Sequence, residues 1–131
     1  MYVADQLNRR FYEFDLNGFE SFQYTTYEHK EGEEDQKYDY HMDTVLGLDK
    51  PLEMMETRKL SLSIIPSDPS EYEGGEFYIQ TGSPEQDRLM KMEQVKGRVL
   101  GFPSFMIHGV SPVTKGIRRS LVVWVEGPKF K

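Results

Sequence analysis

The pattern of hydrophobic and polar residues changes once along this chain, from helical spacing near the start to a strand-like texture from Phe22 onward. From Phe22 onward, β-branched and aromatic residues form short runs, which turn-forming residues interrupt about every ten positions. This spacing is typical of antiparallel sandwiches and barrels. We predict seven strands, at residues 22–29, 37–43, 59–66, 76–80, 98–102, 105–108 and 117–126.

The first part of the chain follows a different pattern. Leu7, Phe11 and Phe14 recur at helical spacing among polar residues. This predicts one short amphipathic helix that ends before Asn17 and Gly18. Because a helix with a single apolar stripe has to bury that stripe, we expect it to cover one side of a sheet.

One later segment, residues 83–93, is compatible with two structures. Ser83, Pro84 and Gln86 have the chemistry of a helix start with a capping box, but the segment can also form an irregular loop. No linker rich in Pro, Gly or Ser divides the chain, so we expect residues 1–131 to form a single domain. The predicted fold class is mainly β, a double-stranded β-helix (jelly roll) with a short N-terminal helix.

Composition and charge narrow the possible chemistry. The formal net charge is −6 and basic residues form no stripe, so we expect no nucleic-acid partner. No apolar run approaches the roughly 18 residues that span a membrane, and we expect a soluble, cytoplasmic protein without a membrane partner. Because cysteine is absent, any metal has to be bound by histidines and carboxylates. The sequence does not indicate an oligomeric state.

A candidate metal site begins at the triplet His41-Met42-Asp43. Residues two apart on a strand point to the same side, so His41 and Asp43 can reach one metal together. His108 can supply a third ligand from another strand of a closed β structure. Two histidines and one carboxylate leave the open positions that non-haem iron(II) oxygenases require. A His-x-Asp triplet also arises by chance, so the assignment needs further support.

That support comes from Arg118, ten positions after His108 at the start of the most strand-like run in the chain. Alternation places Arg118, Ser120 and Trp124 on one side of this strand, and Arg119 on the other. An isolated Arg-Arg dipeptide is more often an exposed basic strand end. A guanidinium followed by a hydroxyl nevertheless suits a carboxylate, as in a dicarboxylate cosubstrate whose other end chelates a metal near His108.

Five motifs between about Tyr24 and Trp124 occur in an order that a known family shares. They are YDYHMD at 38–43, RKLS at 58–61, GGEF at 74–77, FPS at 102–104 and HGVSPVTKGIR at 108–118. In these motifs the sequence resembles the prolyl 4-hydroxylase-like members of the iron(II)/2-oxoglutarate-dependent oxygenase superfamily.

The resemblance implies a double-stranded β-helix in which His41, Asp43 and His108 bind iron(II) and form the catalytic centre. Arg118 would bind the C5 carboxylate of the cosubstrate 2-oxoglutarate. Ser120 matches the family's Arg-x-Ser variant and would lie beside the same carboxylate.

A tyrosine is implied at the same end of the cosubstrate. Tyr27 matches a residue whose hydroxyl donates to the C5 carboxylate in relatives, but the acidic insertion 30–36 alters the local spacing. Tyr24 and Tyr38 therefore stay open as alternatives. The sequence departs from the family at Ile65, where some relatives have a second cosubstrate-binding tyrosine.

The activity implied by the resemblance is that of an Fe(II)- and 2-oxoglutarate-dependent dioxygenase. Such an enzyme uses O2 to hydroxylate an unactivated C–H bond, and it forms succinate and CO2. A prolyl residue of a peptide or protein is the favoured substrate. The alternatives are a hydroxylase of a free amino acid or other small molecule, and a non-catalytic jelly-roll binding module.

Overall fold

Short strands joined by turns make up most of the structure. The computed structural model describes residues 2–43, 56–81 and 88–128. Helix α1 (Tyr2–Leu7) continues into a π-helical turn at Asn8–Tyr12, and a 3-10 turn lies at Pro69–Glu71. Within the described residues the strands are β1 (Gly18–Glu28), β2 (Tyr38–His41), β3 (Glu56–Ile64), β4 (Tyr72–Gly74), β5 (Phe77–Thr81), β6 (Arg88–Met92), β7 (Val99–Pro103), β8 (His108–Val110) and β9 (Val113–Pro128).

These strands form two antiparallel sheets. In the larger sheet the order is β1-β9-β3-β7, and β4 pairs with the first residues of β9. In the smaller sheet the order is β2-β8-β5-β6. The chain crosses repeatedly from one sheet to the other, as in a double-stranded β-helix. The predicted fold class, mainly β with one short N-terminal helix, is confirmed.

Helix α1 covers the outer face of the larger sheet, as predicted. Its Ala4 packs against Leu60 and Leu62 of β3 and against Val123 and Val125 of β9. All five side chains are buried, so this layer forms the main apolar core of the described residues. Leu7, Tyr12 and Leu16 pack around its edge.

The helix nevertheless differs from the predicted one in its register. Phe11 is 59% exposed, whereas Tyr12 packs against the core. The cause is the π-helical turn at Asn8–Tyr12, because its wider turn rotates the residues after Leu7 relative to a regular helix. Phe14 lies beyond the turn, where its ring stacks on Tyr12 at 5.5 Å between centroids.

Two of the predicted segments need correction. The strand predicted at residues 105–108 is absent from Phe105 to Ile107. The Met106 amide donates to the Pro103 carbonyl oxygen at 3.0 Å and closes a turn there. Strand β8 therefore begins only at His108. In segment 83–93, residues Arg88–Met92 form β6 and pair with β5, so both the helix and the loop interpretation are wrong there. Residues 82–87, including the predicted helix start, lie outside the described part.

The described helices are all too short or too polar to cross a membrane. The single-domain organisation of residues 1–131 stays a prediction. Between the two sheets lies a cavity, called here the inter-sheet cavity, whose walls come from both. Residues that line it and matter below are His41, Asp43, His108, Tyr27, Arg118 and Ser120.

Candidate metal centre

Two neighbouring strands of the smaller sheet bring the predicted metal ligands together. His41 is the last residue of β2, His108 is the first residue of β8, and the two are register partners in the antiparallel pair. Asp43 follows in a bend rather than on the strand, which ends at His41 instead of at the predicted residue 43. One potential ligand atom from each of the three residues lies within 4.8 Å of the other two.

The two imidazoles point the same kind of nitrogen at Asp43. Nε2 of His41 is 3.1 Å and Nε2 of His108 is 3.3 Å from Asp43 Oδ1. The opposite nitrogens face carbonyl oxygens: Nδ1 of His41 donates to Asp39 at 2.7 Å, and Nδ1 of His108 donates to Met106 at 2.9 Å. A backbone acceptor on Nδ1 fixes the tautomer in which Nε2 is free to bind a metal.

The Asp43 carboxylate is held from behind by two serines. Its Oδ2 accepts a hydrogen bond from Ser61 Oγ at 2.6 Å, and Ser61 Oγ lies 2.9 Å from Ser104 Oγ. The Asp43 amide donates to the Ser104 carbonyl oxygen at 2.9 Å. All three residues are buried. Because Oδ2 is engaged, Oδ1 is the oxygen that is available to a metal.

The electrostatics of the triad favour a bound cation. Burial alone would raise the pKa of Asp43, but hydrogen bonds from His108, His41 and Ser61 hold that pKa far below its usual range. Burial alone would lower the pKa of His41, but its contacts with Asp43 and with the Asp39 carbonyl raise it overall. The buried carboxylate thus stays negatively charged between the two imidazoles, which favours a divalent cation at this point.

Aromatic rings surround the triad unevenly. The His108 ring packs against Phe102 at 4.6 Å and Phe77 at 5.7 Å between centroids, and its side chain is 7% exposed. The His41 ring contacts Tyr38 at 4.0 Å, and its side chain is 28% exposed. The site is therefore closed on the His108 side and open towards solvent on the His41 side.

Arg118 lies in the wall of the same inter-sheet cavity. It is 1% exposed, and its Nη1 has no hydrogen-bond partner among the residues that the structure describes. Ser120 and Trp124 line the cavity beside it, as the alternation of β9 predicted. Arg119 points the other way, with its Nη1 4.0 Å from Glu71 Oε2. A buried guanidinium with an unpaired N–H is suited to bind an anion.

Of the three tyrosines left open, Tyr27 is the one beside Arg118. The two residues are register partners on β1 and β9, and the Arg118 Cζ atom lies 5.5 Å from the centre of the Tyr27 ring. Tyr24 is 59% exposed, and Tyr38 contacts His41 instead. Burial lowers the pKa of Arg118, and the nearby Tyr72 and Tyr27 partly offset this.

The sequence reasoning missed four residues of the site. Ser61 and Ser104 hold Asp43, Gln94 hydrogen-bonds to Arg118, and Tyr72 lies near enough to Arg118 to raise its pKa. Ser61 and Ser104 lie inside the motifs RKLS and FPS, and these motifs are the sequence signal from which both serines could have been assigned to the site. Gln94 has no such signal, because its contact with Arg118 depends on how β6 and β9 are placed relative to each other.

Comparison with known families decides the assignment. The sequence profile of the 2OG-Fe(II) oxygenase superfamily matches residues 22–126, which include the triad and Arg118. The chain belongs to this superfamily. The resemblance inferred from the five motifs is thereby confirmed.

Individual relatives of the chain agree with the assignment. A PKHD-type hydroxylase of Alteromonas mediterranea is 33% identical over 94 residues, which are 71% of this chain and 39% of that protein. The chain thus spans about two fifths of the length of this curated relative.

Solved structures share the fold. A prolyl-4-hydroxylase of Pseudomonas putida aligns with a TM-score of 0.68 at 20% identity, covering 97% of this chain and 64% of that one. A prolyl hydroxylase of Trichoplax adhaerens, in complex with a peptide fragment of the hypoxia inducible factor oxygen degradation domain, aligns with a TM-score of 0.66 at 16% identity. It covers 95% of this chain and 51% of that one.

The residues of the site fit the cofactors that the name of the superfamily specifies. Two imidazole nitrogens and one carboxylate oxygen converge on one point, which is the donor set of non-haem iron(II) sites. The unpaired Nη1 of Arg118 matches a carboxylate of a dicarboxylic acid such as 2-oxoglutarate.

Proposed function

We propose that this chain carries the active site of an Fe(II)- and 2-oxoglutarate-dependent dioxygenase that hydroxylates a prolyl residue of a peptide or protein. The observation that carries the proposal is one cavity with two complementary ends. His41, Asp43 and His108 converge at one end, and Arg118, a buried cation whose Nη1 has no partner in the described part of the chain, lies in the wall at the other.

The metal end would bind iron(II) through three atoms. These are Nε2 of His41, Nε2 of His108 and Oδ1 of Asp43. The carbonyl oxygens behind the two Nδ1 atoms keep both rings oriented, and Ser61 keeps Oδ2 turned away. When bound together, iron(II) and 2-oxoglutarate supply the activation of O2 and the hydroxylation of the substrate, with succinate and CO2 as coproducts.

The anion end would bind the C5 carboxylate of 2-oxoglutarate. Arg118 offers the charge and the unpaired Nη1, and Ser120 and Tyr27 line the cavity beside it. Because Arg118 is 1% exposed, water screens its charge only weakly and its attraction for a carboxylate is strong. We propose that Tyr27 borders the carboxylate, since its ring already packs on the guanidinium.

An open groove next to His41 supports a substrate larger than a free amino acid. Tyr38, Tyr40 and Met42 line it on one side, and Arg58 and Trp124 line it on the other. A polypeptide segment fits such an open surface better than a small molecule does, because small ligands prefer enclosed pockets. The peptide complex of the Trichoplax adhaerens prolyl hydroxylase supports the same choice.

Mass spectrometry of peptide products tests the proposal. The chain is incubated with iron(II), 2-oxoglutarate, O2 and a set of proline-containing peptides, with matched peptides that have alanine in place of proline. We expect one added oxygen on proline-containing peptides alone, with a matching amount of succinate. The His108→Ala variant should form neither product. Oxidation of free amino acids or other small molecules alone would defeat the peptide assignment, and no 2-oxoglutarate consumption would defeat the enzyme assignment.

Two narrower expectations accompany this proposal. The net charge of −6 is unfavourable for binding nucleic acid. The proposed activity therefore does not include the repair of alkylated nucleic acid, a reaction that would need such a partner. The cytoplasmic location expected from the sequence stays a prediction.

A further inference from the structure

Gln94 makes the closest polar contacts to the proposed anion-binding residue. It lies between β6, which ends at Met92, and β7, which begins at Val99. Its Oε1 accepts two hydrogen bonds from Arg118, from Nη2 at 2.8 Å and from Nε at 3.0 Å. Its Nε2 donates to the Gly75 carbonyl oxygen at 2.7 Å. The amide of Gln94 is therefore fixed at both ends.

These contacts determine which edge of Arg118 faces the cavity. A guanidinium can bind a carboxylate along its Nε–Nη2 edge or along its Nη1–Nη2 edge. Gln94 occupies the first edge, and within the described ranges Nη1 has no hydrogen-bond partner. Gly75 packs closely against the stem of Arg118, since a Cβ added there would lie 2.7 Å from Arg118 Cδ. The Nη1 edge is thus the one left for a ligand.

Gln94 also satisfies Arg118 without cancelling its charge. A glutamate at this position would form a buried ion pair with Arg118 and would compete with an incoming carboxylate. The glutamates on nearby segments already contact other cations: Glu93 pairs with Arg98 at 3.2 Å, and Glu76 pairs with Lys91 at 2.6 Å. A neutral amide is therefore the side chain that orients the guanidinium and leaves its positive charge to the ligand.

We propose that Gln94 is a positioning residue for the cosubstrate. It holds the Nε–Nη2 edge of Arg118, presents the Nη1 edge to the cavity, and keeps the charge of Arg118 uncompensated until a dicarboxylate binds. This inference rests on the proposed function, since the dicarboxylate concerned is 2-oxoglutarate.

Two substitutions at Gln94 separate orientation from charge. Gln94→Glu keeps the side-chain length and the acceptor oxygen but adds a negative charge, whereas Gln94→Met keeps the length and removes both polar atoms. Both lose the donation to Gly75, so they differ in the acceptor for Arg118, which only Gln94→Glu keeps, and in the charge, which only Gln94→Glu adds; these two differences have opposite effects on 2-oxoglutarate binding. Gln6→Glu, on the exposed side of α1, is the matched control for the change in net charge.

Calorimetric titration of 2-oxoglutarate into the Mn(II)-loaded protein measures the effect without turnover. We expect Gln94→Glu to weaken binding about a hundredfold and Gln94→Met about tenfold, from lost charge-assisted hydrogen bonds and a competing carboxylate. Mn(II) affinity should stay within about twofold in both, because Gln94 does not contact the triad. With iron(II), the KM for 2-oxoglutarate should rise while kcat at saturation changes little.

The order of the two variants decides between positioning and a structural role. If Gln94 only supported the fold, Gln94→Glu would be the milder change, because it keeps the acceptor for Arg118. That order, or equal binding by native protein and Gln94→Glu, would overturn the inference, as would parallel loss of Mn(II) binding in both variants. Failure of the native protein itself to bind 2-oxoglutarate would instead contradict the proposed function.

Discussion

The two faces of the larger sheet are built by the same strands with opposite chemistry. On β3, Leu60 and Leu62 face outwards to the helix, while Ser61 faces inwards to Asp43. On β9, Val123 faces outwards, and Arg118 faces inwards to the cavity. The outer face obtains stability from apolar burial, and the inner face keeps buried polar groups that only a ligand or metal satisfies fully. Substitutions on the two faces should therefore separate stability from function.

The largest functional effect is expected on the inner face, at Arg118. Arg118→Met should weaken 2-oxoglutarate binding by roughly a hundredfold or more, because it removes the cation and its charge-assisted hydrogen bonds. Stability should stay equal or rise, since no carboxylate among the described residues pairs with Arg118, and burying an unpaired charge costs free energy that an apolar side chain does not. Calorimetry and thermal unfolding measure the two quantities. Arg119→Met is the matched control, because Arg119 points out of the cavity, and it should leave 2-oxoglutarate affinity unchanged.

A marked loss of stability in Arg118→Met would contradict the proposed division between a stabilising outer face and a ligand-binding inner face. It would mean that Arg118 stabilises the fold through Tyr27, Tyr72 and Gln94 rather than serving mainly as an anion site.

The outer face should show the reverse behaviour. Leu62 is fully buried between α1 and β9, and Leu62→Ala should lower the free energy of unfolding by about 2–5 kcal/mol through lost burial and the cavity that remains. Denaturant unfolding measures this loss. Metal and 2-oxoglutarate affinity of the folded fraction should be unchanged at low temperature. A matching loss of metal affinity would show that the two faces are coupled through β3.

An intermediate effect is expected at Ser61, which holds the unused oxygen of Asp43. Ser61→Ala should weaken metal binding about 10–100-fold, because outer-shell partners orient the ligands. Competition with a chelator measures the affinity. Ser63→Ala is the control: Ser63 lies two residues further along β3 and lines the inter-sheet cavity, and its substitution should leave metal affinity within about threefold. Equal losses of metal affinity in the two variants would show that the hydrogen bond from Ser61 to Asp43 has no particular role in metal binding.

Sequence alone predicted the features that depend on local period. The alternation along β9 placed Arg118, Ser120 and Trp124 on the cavity side, because side-chain direction on a strand repeats every two residues. The triad could also be predicted from the sequence, because His41 and Asp43 are close in sequence and His108 begins a family motif.

Contacts between segments that are distant in the chain could not be predicted from the sequence. Ser61 lies 18 residues from Asp43, and Gln94 lies 24 residues from Arg118. Whether such side chains meet depends on strand register and on how two sheets pack, and a local pattern specifies neither. The strand β6 was missed for a similar cause, because its pairing with β5 overrides the helix signal that precedes it.

The smallest effect is expected at Phe11, where the outer layer departs from the predicted helix. A regular helix would bury Phe11 with Leu7, and Phe11→Ser would then cost about 3 kcal/mol or more. Because the π-helical turn leaves Phe11 59% exposed, we expect a change in the free energy of unfolding within about 0.5 kcal/mol. Tyr12→Ser, one residue later, removes a ring that packs against the core and should be clearly more destabilising. Denaturant unfolding of the two variants compares them directly, and a larger loss at Phe11 would mean that the helix continues regularly past Leu7.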